Sequence, residues 1–265
     1  MQVEDIACLS SVGVVLSVAH RAAIQSSFPL LKTNYKFSSV CFLGKLTGKD
    51  GDYLLAFGVE GSLGAKKYFF CKDGVSWAQL SVPTEETKAL VAKLPAALAF
   101  SGDITTETEI PAPPPAEGEE PAEPSKLTEE QRLAVVVAEL DAAAAIAPAG
   151  ALSLTPAGVV ANPTFSGLDA AGAMSVGSYV LIDQPKAKNV LADATNQAAD
   201  FLATADSLVP KGALVTRNDP ATGSVTVRNL LYPGAVAFCK PGTPTWGYVY
   251  SGNGEKNADI AFMLP

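Results

Sequence analysis

Gly252-Asn253-Gly254-Glu255-Lys256-Asn257 is the stretch of this chain that comes nearest to a chemical device. Glycines beside a lysine can cradle phosphate oxygens on backbone N–H groups and neutralise them with the ammonium. A phosphate loop of that kind needs the GxxxxGK[ST] spacing and a helix behind it, so that the helix N-terminus also faces the anion. Here the spacing is shorter, no Ser or Thr follows Lys256, and the stretch leaves a strand pattern with no helix signal after it. A hairpin is the better account. Gly172-Ala173-Met174-Ser175-Val176-Gly177 is one residue too long for the GxSxG nucleophile elbow, and His20 is the only imidazole that could serve as its base. His20 continues a helical spacing beside Arg21, with no acid or cysteine near it at ligand spacing, and is read as a helix-flank side chain. Cys8, Cys41, Cys71 and Cys239 are scattered among apolar neighbours with no CxxC or HxxxH pattern, as reduced, buried thiols of an intracellular protein would be. Glu107, Glu109, Glu119 and Glu120 read as solvated acids rather than a catalytic pair. No catalytic, cofactor-binding or metal-binding residue is assigned. The competing functional class is a soluble enzyme or nucleotide-binding protein using Lys256 and Asn257 of the glycine loop.

The element that carries this loop is a strand. Trp246, Tyr248 and Tyr250 alternate with period two and share one face, which needs a large apolar surface opposite. Gly252 and Gly254 bracket Asn253, a combination that lets the backbone enter positive φ and turn sharply. The apolar return Asp259-Ile260-Ala261-Phe262-Met263-Leu264 is expected to be docked. Trp246, Tyr248, Tyr250, Gly252 and Gly254 are therefore the candidate structural or partner-contact residues. Trp246 and Tyr248 are assigned to the core, and Tyr250, nearest the turn, to a contact.

Upstream, Val3 to about Ser26 reads as helical in two pieces, weak at Gly13 and Ser17, and Pro29 is expected to end the region. Tyr35 to Trp77 reads as an antiparallel meander, with Lys49-Asp50-Gly51-Asp52 and Asp73-Gly74 as hairpin turns. A helix starts at Thr84 and ends before Pro95. Pro111 to Ser125 is rich in proline and glutamate, favours extended solvated geometry, and reads as a spacer. Thr128-Glu129-Glu130-Gln131 is a capping box. Behind it, Leu133, Val136, Val137, Leu140 and Ala144 form an apolar face, with Glu130, Arg132, Glu139 and Asp141 placed elsewhere. That face wants a partner, this chain's own sheet or a neighbouring subunit. Pro148 and Gly150 stop the helix. Ala151 to Phe165 follows as extended or irregular chain, Asp169 to Val176 as a short helix, and Lys188 to Ala205 as a longer alanine-rich one. Strands are expected at Ala213–Thr216, Ser224–Leu230 and Ala235–Phe238, the first two joined by a turn at Asp219-Pro220-Ala221-Thr222-Gly223.

At 265 residues the chain can bury a sizeable core as one large domain or two small ones. A net charge of −8 argues against nucleic acid, whose affinity rests on neutralising phosphates. No stretch has the length and apolarity of a membrane span, and no secretory signal is visible at the N-terminus. The fold class is α+β: two mainly antiparallel sheets with covering helices, joined by an acidic Pro-rich linker. The regions are 1–106 (helix plus meander), 107–126 (linker) and 127–265 (helix plus antiparallel sheet).

The string from Gly247 to Leu264, GYVYSGNGEKNADIAFML, resembles the closing motif of the radial spoke head proteins in the version carried by the protein 9 family. A more distant version closes the core of radial spoke head proteins 4 and 6. The similarity extends through Arg228-Asn229-Leu230-Leu231-Tyr232-Pro233-Gly234, Pro210-Lys211-Gly212 and Ile146-Ala147-Pro148-Ala149-Gly150-Ala151-Leu152. Tyr35, Phe42, Gly44, Asp52-Tyr53 and Trp77 stand in a similar order. It fails between about Thr105 and Ser125, and is thin from Val190 to Leu208. The resemblance implies a structural, non-catalytic subunit of the axoneme of motile cilia and flagella, without cofactor or metal. It implies radial spoke head proteins 4, 6, 1 and 10 as partners, and transient contact with the central apparatus.

Overall fold

The computed structural model describes residues 1–95, 98–110, 125–185 and 201–264. A 3-10 helix at Val3–Val12 stops at Gly13, whose φ of 87° only glycine adopts without strain. Helix α1 (Val18–Tyr35) follows, with the Ser17 hydroxyl accepting from the His20 N–H. The expected two-piece helical region is thus present, but Pro29 does not end it: Pro29 lies inside α1. An internal proline costs about 3 kcal/mol. Burial of Phe28 and Leu31 on the same helix, each about 1.5–3 kcal/mol, offsets that cost.

Strands β1 (Ser39–Leu46), β2 (Tyr53–Val59), β3 (Lys66–Cys71) and β4 (Ala78–Gln79) form the expected meander. The Lys49–Asp52 segment is not a tight two-residue turn. Lys49 and Asp50 donate instead to the carbonyls of Phe100 and Ser101, at 2.9 and 2.8 Å, and the loop opens toward them. The Asp73 turn is closed by its own carboxylate, which accepts from the Val75 and Ser76 N–H groups. Helix α2 (Glu85–Val91) starts from a capping box at Thr84 and Thr87.

Strands β5 (Glu107–Ile110) and β6 (Ser125–Thr128) pair antiparallel from Glu107↔Thr128 to Ile110↔Ser125. The ends of the acidic stretch are therefore held side by side, and Glu117, Glu119, Glu120 and Glu123 lie outside the described residues. Helix α3 (Glu129–Ala144) begins at the Thr128–Gln131 capping box. After it come β7 (Ile146–Pro148), the hairpin β8 (Leu152–Thr155) and β9 (Gly158–Ala161), the turn α4 (Ala170–Ala173), β10 (Tyr179–Pro185) and β11 (Leu202–Thr204). The expected alanine-rich helix falls mostly outside the described residues, and its end is β11 followed by a 3-10 turn at Ala205–Ser207. Strands β12 (Leu214–Asp219), β13 (Ser224–Asn229), β14 (Ala235–Cys239) and β15 (Trp246–Gly252) stand where the alternation places them, and α5 (Ile260–Met263) closes the chain.

The fold is α+β, with one correction. Instead of two comparable sheets, strands from both sides of the acidic stretch join one eight-stranded sheet, ordered β12-β13-β14-β15-β1-β2-β3-β4. Every neighbouring pair is antiparallel except β1 with β15, which run parallel from Gly44↔Tyr250 to Leu46↔Gly252. At this seam Gly44 has φ 153°, and a Cβ there would overlap the Tyr250 carbonyl oxygen. A small sheet β11-β10-β7 and the two hairpins β5-β6 and β8-β9 complete the β structure among the described residues. One face of the large sheet packs Val40, Phe42, Leu54, Phe69, Phe238 and Val249 against the 3-10 helix and α1. The other packs Leu55, Phe57, Val227, Ala237, Tyr248 and Tyr250 against Leu133, Val137 and Leu140 of α3 and against the small sheet. The apolar face of α3 is thus used by the chain's own sheet.

Candidate functional site

Asp141 is the polar centre of the molecule. Leu133, Val137 and Asp141 follow at intervals of four, so a helix must put this carboxylate on its apolar face. The expectation that Asp141 lies off that face is corrected: it is 1% exposed. Its Oδ1 accepts from the Tyr248 hydroxyl at 2.8 Å, and its Oδ2 accepts from the Tyr68 hydroxyl at 2.8 Å and from Lys66 Nζ. Lys66 Nζ also lies 3.6 Å from Asp183 Oδ2 and sits over the rings of Phe57 and Tyr248. Burial and the Asp141 charge hold both tyrosine hydroxyls protonated far above their ordinary range. Burial raises the Asp183 carboxyl, and Asp141 adds to the rise, while Lys66 opposes it. The assembly ties β3, α3, β10 and β15 to one carboxylate. It is a saturated structural pin, with each Asp141 oxygen already accepting.

A second pin stands at the start of α3. Glu129, in the first turn where the helix dipole favours an anion, is 5% exposed. It accepts from the Tyr53 hydroxyl at 2.7 Å and from the N–H groups of Ser101 and Gly102 at 2.8 and 2.9 Å. Burial by itself would raise its pKa, but these three donors outweigh burial and hold it below the ordinary carboxylate value. Arg132 is also buried rather than solvated. Its guanidinium donates to the carbonyls of Leu98 and Ala99 and stacks 4.1 Å from the Phe100 ring centroid.

The closing strand lies across the middle of this structure. Tyr248 and Tyr250 are 6% and 3% exposed, whereas Trp246 is only half-buried, at the end of β15 opposite Cys239. The assignment of Tyr250 to an outward contact is corrected: its hydroxyl turns back and accepts from the Gly254 N–H at 2.7 Å. The two glycines serve different ends. Gly254 has φ 86°, as a turn requires, but Gly252 is outside the positive-φ set and is needed for space. A Cβ at Gly252 would stand 2.6 Å from the Tyr250 hydroxyl and 2.7 Å from the Pro233 carbonyl oxygen. The apolar return is docked through Ile260, at 3% exposure, and through half-buried Leu264, while Phe262 is 90% exposed and Met263 68%.

The glycine loop offers no anion cradle. Three of its N–H groups are turned onto the chain's own acceptors: Gly254 to Tyr250, Glu255 to the Asn253 side chain, Asn257 to the Leu231 carbonyl. His20 sits half-buried at the start of α1, and the four cysteines are free thiols, with Cys41 the one partly exposed. Among the described residues no three His, Cys, Asp or Glu side chains gather as metal ligands, and no helix is long and apolar enough to cross a membrane.

No family model matches the chain. Curated relatives do, over nearly their whole length. The radial spoke head protein 9 homolog of Bos taurus is 34% identical over 265 residues, which is 96% of this chain and 95% of the relative. The Homo sapiens homolog has the same identity and coverage, and the Danio rerio homolog is 36% identical over 95% of this chain and 94% of its own length. At 34–36% identity over almost the full length of both chains, the chain belongs to the radial spoke head protein 9 family.

Proposed function

We propose that this chain is a structural subunit of the radial spoke head in the axoneme of motile cilia and flagella. There it supports assembly of the head and passes mechanical cues from the central apparatus toward the dynein arms. The observation that carries this reading is full-length similarity to radial spoke head protein 9 homologs of several vertebrates. A sheet that runs unbroken through both halves, pinned by Asp141 and Glu129, supports a load-transmitting role better than a hinge would. The partners are radial spoke head proteins 4, 6, 1 and 10, with transient contact to the central apparatus, and neither nucleic acid nor membrane is among them. The acidic surface suits electrostatic attraction or repulsion at a transient contact of that kind. Of the closing aromatics, Trp246 keeps enough surface to serve as a partner anchor. An epitope-tagged chain purified from detergent-extracted axonemes should carry those four proteins with it, identified by mass spectrometry. Recovery of the tagged chain without any of them would refute the assignment.

A further inference from the structure

The eight-stranded sheet has two outer edges, and they are built differently. At one end β4 is two residues long and Pro83 follows close behind it, an ordinary means of blunting an edge. At the other end β12 is six residues long, contains no proline, and pairs with β13 in unbroken register from Leu214↔Asn229 to Asp219↔Ser224. Its ladder fixes where its main-chain groups point. The Ala213 carbonyl accepts from the Leu230 N–H at 2.8 Å, and the Arg217 carbonyl from the Thr226 hydroxyl at 3.3 Å. Odd-numbered residues of β12 therefore face β13, and Leu214, Thr216 and Asn218 turn N–H and C=O away from the sheet. Among the described residues no hydrogen bond reaches the N–H or C=O of Thr216 or Asn218. Leu214 is buried, but Thr216 is half-buried and Asn218 exposed, so the open part of this edge runs from Thr216 to Asn218. Apolar side chains flank it on both faces. Val215 is 45% exposed on one; on the other, Met174, whose carbonyl accepts from the Thr216 hydroxyl at 2.9 Å, is 41% exposed.

We propose that this edge takes up an extended apolar segment of a partner protein as a ninth strand of the sheet. Alternating N–H and C=O groups along an edge are matched in full only by another extended main chain, so the edge itself states the chemistry of its occupant. Main-chain bonds to Thr216 and Asn218 hold the segment, and its alternate side chains cover Met174 on one face and Val215 on the other. A second copy of this chain fits less well. Antiparallel pairing of two β12 edges about Thr216 would bring both Met174 turns together over one axis. The inference rests on the assembly reading above only in that a partner exists, and it names no particular one.

The test is selection of a random-peptide display library on the full-length chain, followed by fluorescence anisotropy with the enriched peptides. Enriched sequences should be rich in apolar, β-branched residues. N-methylation of the peptide, one residue at a time, should weaken binding about tenfold or more at alternate positions only, because every second N–H faces β12. On the protein side, Thr216→Pro removes an outward N–H and leaves the β12–β13 ladder whole, so it should stay folded by circular dichroism and lose a similar factor. Thr216→Val removes the hydroxyl but keeps the N–H, and should bind normally. The N-methyl scan uses the unaltered chain, so it decides the matter even if Thr216→Pro fails to fold. Absence of enrichment, an N-methyl profile without alternation, or full binding by folded Thr216→Pro overturns the proposal. So does a concentration-dependent dimer abolished by Thr216→Pro in sedimentation, which would put a second copy on the edge. A chain that joins its axonemal complex normally yet binds no such peptide refutes the edge alone and leaves the assembly reading standing.

Discussion

Single carboxylates hold this molecule together. Because Asp141 accepts from Lys66, Tyr68 and Tyr248, its removal leaves a buried ammonium without its main counter-charge. Asp141→Ala is therefore expected to cost about 3–5 kcal/mol in urea unfolding. The double change Lys66→Met, Asp141→Leu should cost clearly less than the two singles added, because it removes both charges at once. Glu129 adds a pH signature. Its folded pKa lies below the ordinary 4.5, so its contribution is complete above that value and is lost as pH falls through the folded one. Glu129→Gln should cost about 1–3 kcal/mol at neutral pH and flatten the loss of stability on acidification below about pH 4.5. An acid limb unchanged by the substitution would show that Glu129 titrates normally. Among the closing aromatics, Tyr248→Ala should cost about 3–5 kcal/mol, and half-buried Trp246→Ala much less. Equal losses would mean that Trp246 is as deeply packed as its neighbour.

Between elements, the decisive contact is the parallel pairing of β1 with β15. Gly44→Ala would drive a methyl group into the Tyr250 carbonyl, so a loss of roughly 3 kcal/mol or more is expected from the urea midpoint. The β5–β6 ladder gives a contrast within one hairpin. Leu127 is 1% exposed, and Leu127→Ala should cost about 2–5 kcal/mol. Replacing residues 111–124 with a Gly/Ser segment of equal length should change stability by about 0.5 kcal/mol or less, since the ladder, not the segment, brings the ends together. A large drop in melting temperature would show that segment to be packed.

What was legible in the sequence follows the range of the forces involved. The capping boxes at Thr84 and Thr128, the Asp73 turn and the strands β12 to β15 depend on neighbours a few residues away, and they stand where local pattern puts them. The seam was not legible. Alternation says that a strand has two faces, but not which edge it will meet some two hundred residues later. Charge alone argues for placing Asp141 off the apolar face, but its four-residue spacing from Leu133 and Val137 puts it inside. Tyr250 was assigned outward by its closeness to the turn, but the two-residue period that buries Tyr248 buries it as well.

At the scale of the whole molecule, one sheet carries both chain halves, and its two faces are closed by the chain's own helices and small sheets. Among the described residues, exposed large apolar side chains remain at several separate places, among them Val18, Val82, Val209 and Phe262. The most direct measurement is cryo-electron tomography of axonemes from cells lacking this chain, compared with cells in which it is restored. The account predicts spoke heads that are missing or thinned on otherwise intact stalks, with abnormal beating, both reversed on restoration. Complete heads in the null axonemes would contradict it.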